Sequence, residues 1–232
     1  MMMHNMRSTM TVKLINSMAS DEAVTMSARV STGASNENTA KDAGLINYLM
    51  RERHGSPFEH NAFTFYVEAP IFVFREFQRH RIASYNEESG RYKELDPVFY
   101  YPAPERKLIQ IGKTGAYEFI EGSNEQHIVV KSELYGQSRQ AYESYKKMLD
   151  EGIAREVARM CLPLNIYSSM YVTINARSLM NFLSLRTMRD GTQFPSYPQR
   201  EIEMVAEQME EHFAKLMPQT YEAFNKNGRV AP

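Results

Sequence analysis

The sequence predicts one α/β domain. Two stretches, Ala62 to Glu68 and Met170 to Asn175, alternate apolar and polar residues with the period of a strand. Amphipathic helical segments run around them, and no Pro-, Gly- or Ser-rich linker divides the 232 residues. A chain of this length suits a single domain and buries roughly 70% of its extended surface. Residues 1–232 are therefore read as one domain. Met1 to Met10 is polar and Met-rich and is expected to fray.

Thr11 to Ile15 alternates and predicts a short first strand. Asp21 to Val30 predicts a helix capped by Ser20 or Asp21. Ser31 to Asn38 is small and polar, hence a loop. Thr39 to Arg53 predicts a helix with Ala43, Ile46, Leu49 and Met50 on one side and Gly55 past its end. In the Ala62 strand Phe63, Phe65 and Val67 share a face. Pro70 then opens a helix at its first turn, where its missing N–H costs nothing. Ile71, Phe74 and Phe77 line the buried side, and the helix should give way to a polar loop near Arg81, over residues 82–92. Pro97 to Pro104 is extended and aromatic; residues 105–125 carry only weak strand signals. Ile128 to Leu149 predicts a long amphipathic helix with Leu134, Ser138, Ala141, Tyr145 and Met148 on one stripe. Glu156 to Leu162 is a short helix stopped near Pro163. Arg177 to Met188 and Gln199 to Leu216 are helices, and a final turn or two covers Thr220 to Asn225.

The composition narrows the function classes. Hydrophobic residues make up 43% and charged residues 24%, the mixture of an ordinary globular protein. Lys plus Arg is 27 and Asp plus Glu is 28, a net charge of −1. A protein that coats nucleic acid carries a basic excess, so any anion here must be met by a local cluster. Cys161 is the one cysteine; it excludes an internal disulfide and a Cys-rich zinc site and suits a reducing compartment. No apolar run approaches the roughly 18 to 20 residues of a membrane span. The first ten residues lack the apolar core of a secretory signal. The expected location is the cytoplasm, with neither a membrane nor a nucleic-acid partner.

Several motifs fail on spacing. Ile111-Gly112-Lys113-Thr114 resembles the end of a phosphate-binding loop, but Lys107 stands where its first glycine belongs. No Gly-x-Gly-x-x-Gly follows a strand. His54 and Glu59-His60 lack the spacing of a zinc peptidase, and no metal site is expected. Ser89 lacks the upstream glycine of a nucleophile elbow. Cys161, between Met160 and Leu162, fits a buried, inert thiol.

Chemistry concentrates elsewhere. Arg79, His80 and Arg81 are adjacent at a predicted helix end. Successive helical side chains point about 100° apart, so the three cannot face one small ligand, but they can splay around a large one or serve two. Arg and His there also complement the helix dipole. The loop after them offers Ser89, Gly90 and backbone N–H groups suited to an anion, and Arg91 adds a fork donor. Keeping so polar a loop ordered without a ligand is costly. In a second cluster, Arg177 and Asn181 share one helix face at i, i+4, next to Asn175 at a strand end. Arg186 lies about half a turn away and can serve a different ligand. A third group, His54 to His60, precedes the Ala62 strand and taken alone reads as a loop.

Arg79-His80-Arg81, seven residues, then Ser89 matches the signature of the flavin-dependent thymidylate synthases. His54 to His60, Glu156-Val157-Ala158-Arg159 and Asn175 to Arg186 resemble that family's other segments, in its order, and the resemblance covers about Val12 to Asn225. It implies an α/β (α+β) fold, a mixed sheet packed with long helices, assembled as a homotetramer with FAD at active sites between subunits. The implied reaction is reductive methylation of dUMP to dTMP. Methylenetetrahydrofolate gives the carbon, NADPH reduces the flavin, and tetrahydrofolate leaves. The resemblance places FAD at Ser31, Ser56, Glu59, Arg79, His80, Arg81, Ile82, Asn86, Asn175, Arg177 and Asn181. It places dUMP at Glu76, Arg79, Glu87, Ser89, Gly90, Arg91, Arg159 and Arg186, and His54 near flavin and folate. Arg186 is expected to hold the uracil ring and stabilise charge on its imide edge, and Ser89 to orient substrate. Cys161 lies outside every matched segment, so no cysteine nucleophile is expected. The chain departs from the family after Arg186, where Thr187 to Pro198 intervene and Tyr197 stands in place of the family's His. Two prolines and a glycine exclude a continuous helix there. Two readings of this connection stand side by side: a mobile rim over the nucleotide site with Phe194 or Tyr197 available to pack near the ligands, or a surface insertion with no role, since loop insertions are thermodynamically cheap. A rival reading, a grip on single-stranded nucleic acid by Arg79, Arg81 and Arg91 with Tyr85 and Tyr92, is disfavoured by the charge balance and the matching segments. A second rival is a flavoprotein of the same fold without synthase activity; the near-complete site counts against it.

Overall fold

The computed structural model describes residues 5–33, 41–114 and 116–232. Its strands are β1 (Asn5–Arg7), β2 (Thr11–Met18), β3 (Ala62–Pro70), β4 (Ser84–Glu87), β5 (Val98–Tyr100), β6 (Ile109–Lys113), β7 (Ala116–Ile120) and β8 (Tyr167–Asn175). Its helices are α1 (Asp21–Val30), α2 (Asp42–Arg51), α3 (Ser56–Glu59), α4 (Ile71–Phe77), α5 (Asn124–Asp150), α6 (Arg155–Ala158), α7 (Ala176–Arg186), α8 (Arg200–Leu216) and α9 (Pro218–Lys226). The fold is mixed α/β, as the alternating and amphipathic stretches predict. Residues 34–40, part of the expected loop and helix start, lie outside the described residues. The chain forms two compact units, one holding Thr11–Val67, Gln78–Asn86 and Met170–Pro232, the other residues up to Met10, Glu68–Phe77 and Glu87–Ser169.

The first is a sheet unit. Its sheet has the order β2-β3-β8-β4. Phe63, Phe65 and Val67 of β3 are fully buried, as their alternation predicts. Phe63 stacks beside Phe65 and meets Phe213 of α8 edge-on, with centroids 5.9 and 6.1 Å apart. α8 buries Ile202, Val205, Ala206, Met209 and Phe213 on one helical stripe; each large apolar side chain so buried contributes about 1.5–3 kcal/mol. Ser20 caps α1, its Oγ accepting from Ala23 N at 3.1 Å. In α2, Ile46, Leu49 and Met50 are buried but Ala43 is exposed, contrary to expectation. Asp42 holds the inward position instead, paired with Arg29 at 2.5 Å. Past the end of α2 it is Arg53, at φ +64°, that takes the left-handed conformation, rather than Gly55.

The second is a long-helix unit. α5 starts at Asn124 rather than Ile128, because Ser123 and Gln126 form a capping box. Its buried side carries Ser138, Tyr142 and Tyr145, and the two tyrosines pack with Leu95, Phe99, Ala158 and Ile166. β6 and β7 form an antiparallel hairpin where only weak strand signals exist. The expected fraying of residues 1–10 is corrected for the described ones: β1 pairs in parallel with β5. Arg7 bonds Glu68 at 2.8 Å, Tyr167 Oη donates to Arg7 O and Thr9 O, and Met10 is buried. These partners are remote in sequence, so no local pattern announces them.

Two loops also proved ordered. His54 to His60 contains α3, with Pro57 in its first turn. The polar stretch 82–92 contains β4, an edge strand whose residues are mostly exposed and so show no apolar alternation. α4 ends at Phe77, earlier than expected, leaving Gln78 to Ala83 non-helical.

Candidate active site

In the long-helix unit five of the predicted nucleotide residues, Glu87, Ser89, Gly90, Arg91 and Arg159, come together. The loop after β4 is fixed at its base by Glu88, whose N–H donates to Ser169 O at 2.8 Å and whose carboxylate accepts from Ser169 Oγ at 3.1 Å. Tyr92 N and Lys93 N both donate to Ser89 O, so the loop turns tightly at Ser89. The Ser89 hydroxyl accepts from Arg91 N at 3.2 Å, and among the described residues no base is hydrogen-bonded to it. Gly90 is required by close approach: a Cβ there would meet Arg159 Cδ and Leu95 Cδ1, each at 3.2 Å. Leu95 is itself held by α5, with its N–H donating to Tyr145 Oη and its carbonyl accepting from Tyr142 Oη. Arg91 Nε donates to Glu156 Oε2 at 2.9 Å. The Glu87 carboxyl is raised above its ordinary range chiefly by desolvation, while Ser168 and the Arg159 charge pull it down. Ser89, Gly90, Arg91, Glu87 and Arg159 thus form one neighbourhood, and α4 carries Glu76 in the same unit.

The sheet unit holds every residue expected at FAD, together with Arg79 and Arg186 of the nucleotide set. Arg79, Arg81, Ile82 and Asn86 are exposed, whereas His80 between the two arginines is buried. The three residues therefore point apart, but not through the helical spacing the sequence suggests, since α4 ends at Phe77. His80 packs edge-on against Phe182 of α7, with centroids 4.8 Å apart, and its Nε2 accepts from Arg186 Nε at 3.1 Å. Burial, then the Arg186 charge, lowers the His80 pKa to about 4. Tyr85 Oη donates to His80 O at 2.6 Å, and burial pushes that phenol up to about 12.

At the other end of α7, Asn175 is the N-cap, its Oδ1 accepting from Ser178 N at 2.8 Å. Arg177 Nη1 pairs with Glu59 Oε1 of α3 at 2.6 Å, and Arg177 Nε donates to Pro232 O. Gly55 makes this possible, because a Cβ there would lie 2.5 Å from Arg177 Nε. Arg177 and Arg186 therefore engage different protein partners at the two ends of α7. Asn181 is exposed on α7 and Ser56 on α3. Ser31 closes α1 with a local bond to Ala28 O. The His54 ring lies 5.8 Å from that of Tyr48. Arg79, Arg81 and Arg177 supply fork donors, and Asn86 and Asn181 supply amides, a set that fits the pyrophosphate and polar edges of a dinucleotide.

Several contributors are invisible to local sequence reasoning. Phe182 and Tyr85 contact His80, and Glu156 contacts Arg91; no local spacing announces these pairings, although Glu156 lies in a segment that the family resemblance covers. The connection after Arg186 is tied down rather than loose. Met188 N donates to Glu203 Oε1, Arg189 to Glu210, Gln193 N to Gly228 O, and Ser196 Oγ to Leu185 O. Phe194 and Tyr197 nonetheless remain exposed. Among the described residues no group of His, Cys, Asp and Glu suited to a metal is found, and no helix is long and apolar enough to cross a membrane.

Fold and site together define a mixed α/β protein with an arginine-rich candidate site, in which one helix turns two arginines toward separate partners. Comparison with known proteins makes the class particular. Residues 13–219 match the family profile described as thymidylate synthase complementing protein (Thy1). A relative named flavin-dependent thymidylate synthase from Tropheryma whipplei (strain TW08/27) is 61% identical over 230 residues, covering 97% of this chain and 96% of that protein. One of the same name from Streptomyces coelicolor is 58% identical over 234 residues, covering 98% of this chain and 95% of that protein. The crystal structure of the UMP/dUMP methylase PolB from Streptomyces cacaoi bound with 5-Br UMP superposes with a TM-score of 0.92. It has 54% identity and covers 98% of this chain and 99% of that one. The chain belongs to the flavin-dependent thymidylate synthase family.

Proposed function

We propose that this protein binds FAD and reductively methylates dUMP to dTMP, with methylenetetrahydrofolate as carbon donor and NADPH as reductant, releasing tetrahydrofolate. The observation that carries the reading is the division of labour on α7: Arg177 paired with Glu59 at one end, Arg186 held by His80 at the other. When bound, the flavin supplies the reducing equivalents; the chain's own residues position and polarise. Arg79, Arg81, Arg177 and Asn181 grip the dinucleotide. Arg91 and Arg159 meet the substrate phosphate beside the Ser89–Gly90 turn. Arg186 holds the uracil imide edge and stabilises negative charge there. Ser89 orients substrate and is not a nucleophile, since among the described residues no base is hydrogen-bonded to its hydroxyl. Cys161 is exposed, not buried as its apolar neighbours predict, but it is no substitute: its Sγ donates to Ala141 O and Ala158 O, and desolvation raises its pKa. His54 serves near flavin and folate. The two units act as one domain, which the family match supports by running through both. The working form is a cytoplasmic homotetramer with shared active sites, which sedimentation of the purified protein checks.

A second reading is supported by the likeness to a UMP/dUMP methylase: this chain also accepts UMP. The deciding experiment incubates FAD-loaded protein anaerobically with methylenetetrahydrofolate, NADPH and either dUMP or UMP. The main reading expects dTMP and tetrahydrofolate from dUMP and little product from UMP. Comparable methylation of UMP establishes the second reading. No dTMP, or dihydrofolate as the folate product, rejects the synthase reading.

A further inference from the structure

We propose that the buried Arg229–Glu210 ion pair is a positioning device for Arg186, acting through Thr187. The inference rests on the reading of Arg186 as a nucleotide ligand and adds Thr187, Glu210 and Arg229, none of which the sequence places at a ligand.

Arg229 Nη2 lies 2.6 Å from Glu210 Oε1, and the two side chains are 3% and 5% exposed. The same Nη2 donates to Thr187 Oγ1 at 3.0 Å. Thr187 is the residue after Arg186 and the C-cap of α7; its hydroxyl donates to Leu183 O at 2.7 Å and its N–H to the same carbonyl at 3.0 Å. One side chain therefore links the guanidinium of Arg229 to the backbone that carries Arg186. His80 in turn accepts from Arg186 Nε, so side chain and backbone are both held.

The turn that delivers Arg229 shares the task. Gly228 has φ +72° and Arg229 has φ +55°, a region that a non-glycine residue adopts at a cost. Gly228 O accepts from Gln193 N at 2.9 Å, and a Cβ on Gly228 would lie 3.0 Å from Gln193 Cβ. Glu210 also takes Arg189 Nη2 at 2.8 Å and Tyr221 Oη at 3.2 Å. The same cluster thus holds Thr187, Arg189 and Gln193 of the connection after Arg186.

Stability does not account for this arrangement. Burying two charges costs desolvation that apolar replacement of both avoids, often at no loss of stability. Arg229 Nε is moreover buried without a hydrogen-bond partner among the described residues. What the ion pair provides and an apolar pair lacks is a directed donor to Thr187.

The test measures dUMP binding to FAD-loaded protein by calorimetry, alongside flavin content and Tm. Arg186→Ala comes first: loss of dUMP binding upholds the underlying reading, and unchanged binding overturns it and the proposal with it. Given that loss, Thr187→Val is expected to weaken dUMP binding three- to tenfold with flavin content and Tm near wild type. Thr187→Ser, which keeps the hydroxyl, is expected to bind as wild type. The double variant Arg229→Met/Glu210→Met, which leaves no orphan charge between them, is expected to weaken binding about tenfold. Unchanged affinity in Thr187→Val overturns the positioning role even if the double variant fails to fold. Unchanged affinity in a folded double variant overturns it equally.

Discussion

His80 accepts at Nε2 from the Arg186 guanidinium, so its proton must sit on Nδ1 and the ring must be neutral. Burial and then the Arg186 charge hold its pKa at about 4, below the ordinary 6.5. The unfolded chain therefore binds this proton first as pH falls. The stability His80 contributes is intact above about pH 6.5 and is lost as pH drops toward 4. His80→Gln keeps an acceptor without the titration, so its Tm should fall less than wild type across that window in thermal scans. Equal slopes would remove His80 as the cause. The arginines of α7 make a second residue-scale prediction. Arg177→Ala, deprived of the Glu59 pair, should lower flavin occupancy in the visible spectrum while Arg186→Ala leaves it near normal and weakens dUMP. Equal loss of flavin in both variants would end the division.

At the scale of elements, the N-terminus of α9 is capped by a residue of another helix. Asp21 of α1 accepts from Gln219 N at 2.8 Å, Thr220 N at 2.9 Å and Thr220 Oγ1 at 2.6 Å. Thr220 is fully buried, so its donors have no water to turn to. Asp21→Ala should cost about 2–3 kcal/mol in urea unfolding with flavin content unchanged at low temperature; a loss under about 0.5 kcal/mol would show that the cap is dispensable. The connection from Thr187 to Pro198 is a second element-scale case. Its tethers fix the base while Phe194 and Tyr197 stay 65% and 57% exposed. Exposed aromatics on a fixed scaffold suit a ligand-facing rim. Replacing both by Ala should raise KM for folate or dUMP with assembly and flavin content intact. Unaltered kinetics would mark the segment as a surface insertion.

For the whole molecule, a charge of −1 distributed as 27 basic and 28 acidic residues leaves no field to attract a polyanion. Fluorescence anisotropy with a single-stranded oligonucleotide at 0.15 M salt should show no binding tighter than about 100 μM; sub-micromolar binding would revive the nucleic-acid reading. The sequence by itself determined the mixed α/β class, because β3 and α8 bury every second or every third-to-fourth residue, and burial leaves that period in the chain. It also supplied the residues proposed to carry the chemistry, because the spacing of Arg79 to Ser89 and of Asn175 to Arg186 is legible in the chain itself. It could not show that Asn5–Arg7 is a strand, that 84–87 joins the sheet edge, or that Asp21 caps α9, since each depends on a partner distant in the chain. Tertiary structure alone decided that His80 turns inward while Arg79 and Arg81 face solvent, because α4 ends at Phe77 and the packing of Phe182 selects the ring. It alone brought Arg229 beneath Thr187. A charge 42 residues away becomes legible only when the chain has folded and water has been excluded between them.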